Sequence, residues 1–134
     1  MKVFINILIF TLLISSSFSQ TDTTAKKIKP EIMFEKAIHN FGKLNFGEEA
    51  SYLFEFKNIG KTPLVIQKIE TSCGCTVAEK PEQPLRSKEK AYITVIYEGD
   101  EEGKFQKSIK VYSNAVNSPY TVYIKGVVKS QTNN

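Results

Sequence analysis

Ser51-Tyr52-Leu53-Phe54-Glu55-Phe56-Lys57 sets Tyr52, Phe54 and Phe56 on one parity and Ser51, Glu55 and Lys57 on the other. Successive side chains of an extended chain point to opposite faces, so this alternation describes a strand with one face in a core and one in water. Leu53 alone breaks the pattern. Four further runs of strand length follow, at Leu64 to Glu70, Ala91 to Tyr97, Phe105 to Tyr112 and Tyr120 to Val128, all rich in Ile, Val, Tyr and Phe. Phe105, Ile109 and Val111 share a parity, as do Val122, Ile124 and Val128, so both late strands offer one face to a common core. Gly126 inside the last run marks a close approach or a bulge.

Turn chemistry separates the runs: Asn58-Ile59-Gly60 before Pro63, Pro81 to Pro84, Gly99 to Gly103, and Asn114 to Pro119. No window downstream of Gln20 carries a sustained helical apolar period. With short candidates at Ile32 to Phe34 and Cys75 to Ala78 the count reaches about seven strands, which implies an all-β, immunoglobulin-like β-sandwich. A small barrel is the alternative closure. The chain has no Trp and no distant cysteine pair, so the architecture is expected without the antibody-type disulfide.

The full sequence has 134 residues, 41% hydrophobic and 24% charged, the balance of one globular domain. Its 18 basic against 14 acidic side chains are spread without a basic block, which argues against nucleic acid as a partner. At the start, Lys2 precedes an apolar run from Val3 to Ile14, interrupted only by Asn6 and Thr11 and ended by Ser15, Ser16 and Ser17. That run is shorter than the roughly 20 residues needed to cross a bilayer, and Ser17-Phe18-Ser19 puts small residues where a signal peptidase reads. The expected organisation is a signal peptide over 1–19, a flexible lead over 20–30, the sandwich over 31–129 and a frayed tail over 130–134. Export to the periplasm or beyond follows, as a soluble protein with no transmembrane segment in the mature chain and expected to be monomeric.

Chemistry concentrates at Cys73-Gly74-Cys75. Thiols two apart on an extended chain share a face at about 7 Å, just beyond disulfide reach, and a bend at Gly74 would bring them within it as a strained, readily reduced bond. Paired thiolates also suit a soft ion such as Cu(I), with His39 or Met33 as a further ligand. The third reading is architectural: small buried hydrophobes continuing the parity of Val77, with Gly74 turning the chain between sheets. The spacing is not Cys-x-x-Cys, no helix stands by to stabilise a thiolate, and two Cys with one His fall short of a structural zinc site. No cofactor is called for. His39 is the sole histidine and is expected to be packed rather than a catalytic base. Glu98, Asp100, Glu101 and Glu102 lack the calcium-loop order and fit a solvated hairpin tip. Tyr92, Tyr97, Tyr112, Tyr120 and Tyr123 crowd the last three strands, where aromatic residues either line one sheet or form a protein- or glycan-binding surface, and open sheet edges give a second route to a partner.

Phe56-Lys57-Asn58-Ile59-Gly60-Lys61-Thr62-Pro63-Leu64-Val65-Ile66 followed by Ser72-Cys73-Gly74-Cys75-Thr76 resembles the bacterial domain-of-unknown-function 1573 family of exported proteins. His39-Asn40-Phe41-Gly42 resembles its opening motif, and Gly103-Lys104-Phe105, Val111-Tyr112-Ser113-Asn114 and Ile124-Lys125-Gly126 resemble its closing strands. The resemblance implies an Ig-like sandwich related to major sperm protein and Hydin-type domains, outside the cytoplasm, and implies no activity. One departure stands out: Arg86-Ser87-Lys88 occupies the place of a Pro-Gly turn. The expectation is a non-enzymatic binding or structural module of the cell envelope with a protein or envelope component as partner. The alternative is a Cys73/Cys75 thiol-redox or Cu(I) protein.

Overall fold

The computed structural model describes residues 28–131. The expected signal peptide, residues 20–27 of the lead and residues 132–134 of the tail lie outside the described residues. Eight strands follow one another: β1 (Ile32–Phe34), β2 (Ile38–Leu44), β3 (Ala50–Asn58), β4 (Ile66–Thr71), β5 (Cys75–Glu79), β6 (Lys90–Tyr97), β7 (Gly103–Ser113) and β8 (Tyr120–Val128). They form two four-stranded sheets, ordered β1-β3-β6-β5 and β2-β8-β7-β4. Every pairing is antiparallel except β2 with β8, which is parallel. The fold is thus an all-β, Ig-like sandwich, with one strand more than the alternation suggested. Among the described residues no helix is long and apolar enough to cross a membrane.

The core forms where the inward parities of both sheets meet. Phe54, Phe56, Ile93, Val95 and Tyr97 face Ile109, Val111, Val122 and Ile124, all almost wholly buried. At roughly 25 cal/mol per Å² of apolar surface, each such side chain contributes on the order of 2 kcal/mol. Leu53, the exception to the alternation, takes the outer parity of β3 and stays exposed. Gly126 lies where β2 presses on the β7–β8 pair: a Cβ there would meet the Gly42 carbonyl oxygen and the Phe105 ring, both at 2.8 Å.

The Asn58-Ile59-Gly60 turn owes its shape to one buried amide. Asn58 Nδ2 donates to the carbonyls of Thr62 (2.8 Å) and Leu85 (3.0 Å), while its Oδ1 accepts the Gly60 N–H (3.0 Å). Leu64 and Leu85 then exchange two backbone bonds of 2.8 Å and are both buried. At Arg86-Ser87-Lys88 a tight turn persists without glycine: Glu89 N–H donates to Arg86 C=O (3.1 Å) and Lys88 adopts φ +70°. A side chain therefore occupies a left-handed position that glycine fills at less cost.

Candidate functional site

The Cys-Gly-Cys segment is the crossover between the sheets, leaving β4 in one and entering β5 in the other. Cys75 N–H donates to Ser72 C=O (3.3 Å), closing a four-residue turn with Gly74 third at φ +81°, as a type II turn requires. An added Cβ at Gly74 would rest in ordinary contact with Asp100 and the Tyr97 ring at 3.5 Å, so backbone sign, not crowding, demands glycine. The turn is tied down on both sides. Ser72 N–H and Oγ–H donate to Ser108 C=O, Ser72 Oγ accepts Ser108 N–H at 2.9 Å, and Thr71 Oγ1 donates to Cys75 C=O at 3.0 Å.

Burial divides the two thiols, both of which are free. Cys73 sits exposed on the corner of the turn, contrary to the expectation that both sulfurs are buried, because strand parity does not carry through a turn. Cys75 is half-buried against the core beside Tyr97, its partner in the β5–β6 register. Loss of water pushes its thiol up to about 11, Lys107 opposing the shift and Glu101 adding to it. Cys75 is accordingly a protonated, weakly nucleophilic thiol near neutral pH.

Lys107 is the member of this cluster that went unnoticed in the sequence, although it lies on the apolar parity of Phe105, Ile109 and Val111. Its side chain is only 14% exposed and its ammonium pairs with Glu101 at 2.7 Å, which raises its pKa. Next to it Tyr97 is fully buried and stacks on Phe105 with ring centroids 4.0 Å apart. The Tyr97 hydroxyl has no hydrogen-bond partner, and burial raises its pKa.

The remaining candidate ligands are elsewhere. His39 is on β2, at the edge of its sheet opposite β4, where it stacks on Tyr52 at 3.6 Å and meets Phe41 edge-on at 4.6 Å. Desolvation, then the charge of Lys36, lowers its pKa. Met33 is exposed on β1, at the edge of the other sheet opposite β5. The structure therefore does not bring His39 or Met33 to Cys73 and Cys75, which corrects the expectation that one of them could join the thiolates as a further copper ligand. Among the described residues, no three His, Cys, Asp or Glu side chains gather as a metal site. The tyrosines do not share a face either: Tyr97 is internal, Tyr92 bonds Glu55 on one sheet and Tyr112 bonds Glu70 on the other, each at 3.0 Å.

Two facing four-stranded sheets closed over one core define an Ig-like β-sandwich, and solved structures share that fold. A protein of unknown function from Porphyromonas gingivalis W83 superposes with a TM-score of 0.63 at 15% identity, covering 73% of this chain and 46% of that one. The Vibrio cholerae protease VesB gives 0.59 at 11%, over 75% of this chain and 32% of that one. The ASH/PapD-like domain 7 of human CEP192 gives 0.53 at 12%, over 79% and 89%. This chain thus spans less than half the length of the first two, and at these identities the likeness is one of fold. Among curated proteins none matches the sequence significantly. The chain belongs to the DUF1573 family, described as proteins of unknown function, whose model matches residues 32–128.

Proposed function

We propose that the protein is an exported Ig-like module of the bacterial cell envelope that works by binding a partner, not by catalysis. The observation that carries the reading is Cys75. Its half-buried thiol is held up at about 11, and its backbone N–H and C=O are both engaged in the turn that joins the sheets. The box that most invites chemistry thus has an architectural use, and His39, the one imidazole, is packed against aromatic rings, stacked on Tyr52 and edge-on to Phe41. Export is supported by the apolar run Val3 to Ile14 and by Ser17-Phe18-Ser19.

Expression of the full chain in a Gram-negative host, with fractionation and N-terminal sequencing, tests export. The same material is assayed for insulin reduction and for Cu(I) retention under reducing conditions. The reading expects a periplasmic protein beginning at Gln20 with neither property. An unprocessed cytosolic chain would overturn export. Insulin turnover or stoichiometric copper that disappears in Cys73→Ser would replace the binding reading with the thiol or copper alternative.

A further inference from the structure

We propose that the open side of the sandwich between β4 and β5 is a strand-addition site for an extended, basic segment of a partner protein. The inference rests on the binding-module reading and names the surface and the chemistry of its partner.

Antiparallel pairs alternate between residues that exchange backbone bonds and residues whose N–H and C=O point away from the ladder. On β5, Glu98 N–H donates to Gly74 C=O (3.3 Å), which makes Gly74 and Glu98 a bonded pair. Counting on through Cys75↔Tyr97 and Thr76↔Ile96 leaves Val77, opposite Val95, with both groups turned away from β6. On β4, Ser72 N–H donates to Ser108 C=O (3.1 Å), and counting back through Thr71↔Ile109 and Glu70↔Lys110 leaves Ile69, opposite Val111, turned away from β7. No backbone partner for the outward groups of Ile69 or Val77 occurs among the described residues.

The opposite side of the sandwich is guarded. On β1, Ile32 N–H and C=O are both held by the Asn117 side chain, at 3.1 and 2.7 Å. On β2 the register shifts between Asn40 and Lys43, and Asn40 Oδ1 takes the Gly42 N–H at 2.9 Å. Side-chain caps and bulges are the usual means of blunting an edge. β4 and β5 also shift register, between Ile66 and Lys68 and between Val77 and Glu79, but among the described residues no side chain caps the outward backbone groups of Ile69 or Val77 as Asn117 caps Ile32. Between those two strands lies a groove of about 570 Å³ lined by Ile69, Val77, Glu79, Lys80 and Glu82. Ile69 and Val77 are half-buried on the core and form an apolar floor for every second side chain of an incoming strand.

Charge selects the occupant. Glu79 and Glu82 line the groove, and Asp100 and Glu101 stand beside Gly74 and Cys75. Against these four carboxylates stand Lys80, paired with Glu82 at 3.3 Å, and Lys107, paired with Glu101, so Glu79 and Asp100 are left without a paired cation among the described residues. Lys68 and Glu70 on β4 pair with each other. This acidic side belongs to a chain whose overall charge is +4. A second copy approaching by the same edge would set carboxylates against carboxylates, whereas a Lys- or Arg-bearing strand complements them.

The test titrates isotope-labelled protein, purified as the cell makes it, with a synthetic peptide of alternating Val and Lys, and follows backbone amide shifts. The expected result is saturable shifts centred on Ile69 and Val77, with affinity at least about tenfold weaker for the Glu-for-Lys peptide and falling with salt. Val77→Pro removes one outward N–H without breaking a β5–β6 bond, so a folded Val77→Pro variant should lose binding. Should that variant misfold, Glu79→Lys with Glu82→Lys serves instead and should favour the acidic peptide. Shifts confined to another edge or to a sheet face would overturn this site while leaving the binding reading intact. Equal affinity for both peptides, no binding of either, or concentration-dependent self-association through the same residues would overturn the proposed occupant.

Discussion

In a Cys73→Ser background the lone thiol of Cys75 should alkylate about a hundredfold more slowly in the folded protein than in urea near pH 8. The factor follows from the shift of its pKa from 9.0 to about 11: well below both values each unit removes nine-tenths of the thiolate, and the thiolate is what reacts. Restricted access to a half-buried sulfur slows the reaction further, so the rate at one pH does not separate the two causes. A pH series does. Steric shielding alone would scale the whole profile down and leave its inflection near 9, whereas desolvation moves the inflection toward 11. The assay is iodoacetamide labelling followed by quenching, digestion and mass spectrometry of the Cys75 peptide, with the urea-unfolded chain as reference. Glu101→Gln should move the inflection down and Lys107→Ala should move it up, since these groups act on the thiol with opposite signs. Native and unfolded rates within about threefold of each other, or an inflection at or below 9, would refute the burial argument and restore Cys75 as a candidate nucleophile.

Three further outcomes concern stability. Asn58→Ala leaves the Thr62 and Leu85 carbonyls and the Gly60 N–H without their partner. At about 1 kcal/mol for each of these bonds it should cost about 3 kcal/mol and lower Tm by roughly 10–20 °C in calorimetry. Lys88→Gly relieves a left-handed side chain at φ +70° and should raise stability by about 0.5–1 kcal/mol in urea melts, partly offset by the freer unfolded chain. The alkaline limb should be steep, because Cys75, Tyr97 and Lys107 all have raised pKa values in the folded state. Each contributes stability that is whole below its unfolded value and lost as pH rises through its folded one. The urea midpoint should therefore fall between about pH 9 and pH 11, and Cys75→Ala should remove the earliest part of the fall, at most about 2–3 kcal/mol.

What could be read from the sequence was whatever depends on parity. β3, β6, β7 and β8 alternate long enough to declare an inward face, and Phe54, Ile93, Ile109 and Val122 all lie on it. β2 escaped because Gly42 and Lys43 interrupt it at a register shift and because its only ladder is a parallel one at a sheet edge. The Cys-Gly-Cys box was legible as a sheet-changing turn from Gly74, but strand parity could not announce the exposure of Cys73 at its corner. Lys107 was written on an apolar parity and still overlooked, since a lysine facing inward is expected only when a carboxylate such as Glu101 reaches it, and that meeting is tertiary. The separation of His39 and Met33 from the thiols is likewise a matter of strand order, which no local pattern encodes.

The claim on which the functional account turns is that recognition runs through unpaired backbone at the β4–β5 side, and residue-resolved amide exchange of the free protein tests it most directly. Ile69 and Val77 should exchange at nearly unprotected rates while their neighbours Glu70 and Thr76, bonded into β7 and β6, exchange many times more slowly. Strong protection at Ile69 and Val77, or the reverse alternation along either strand, would mean that those edges are already satisfied and would contradict the account.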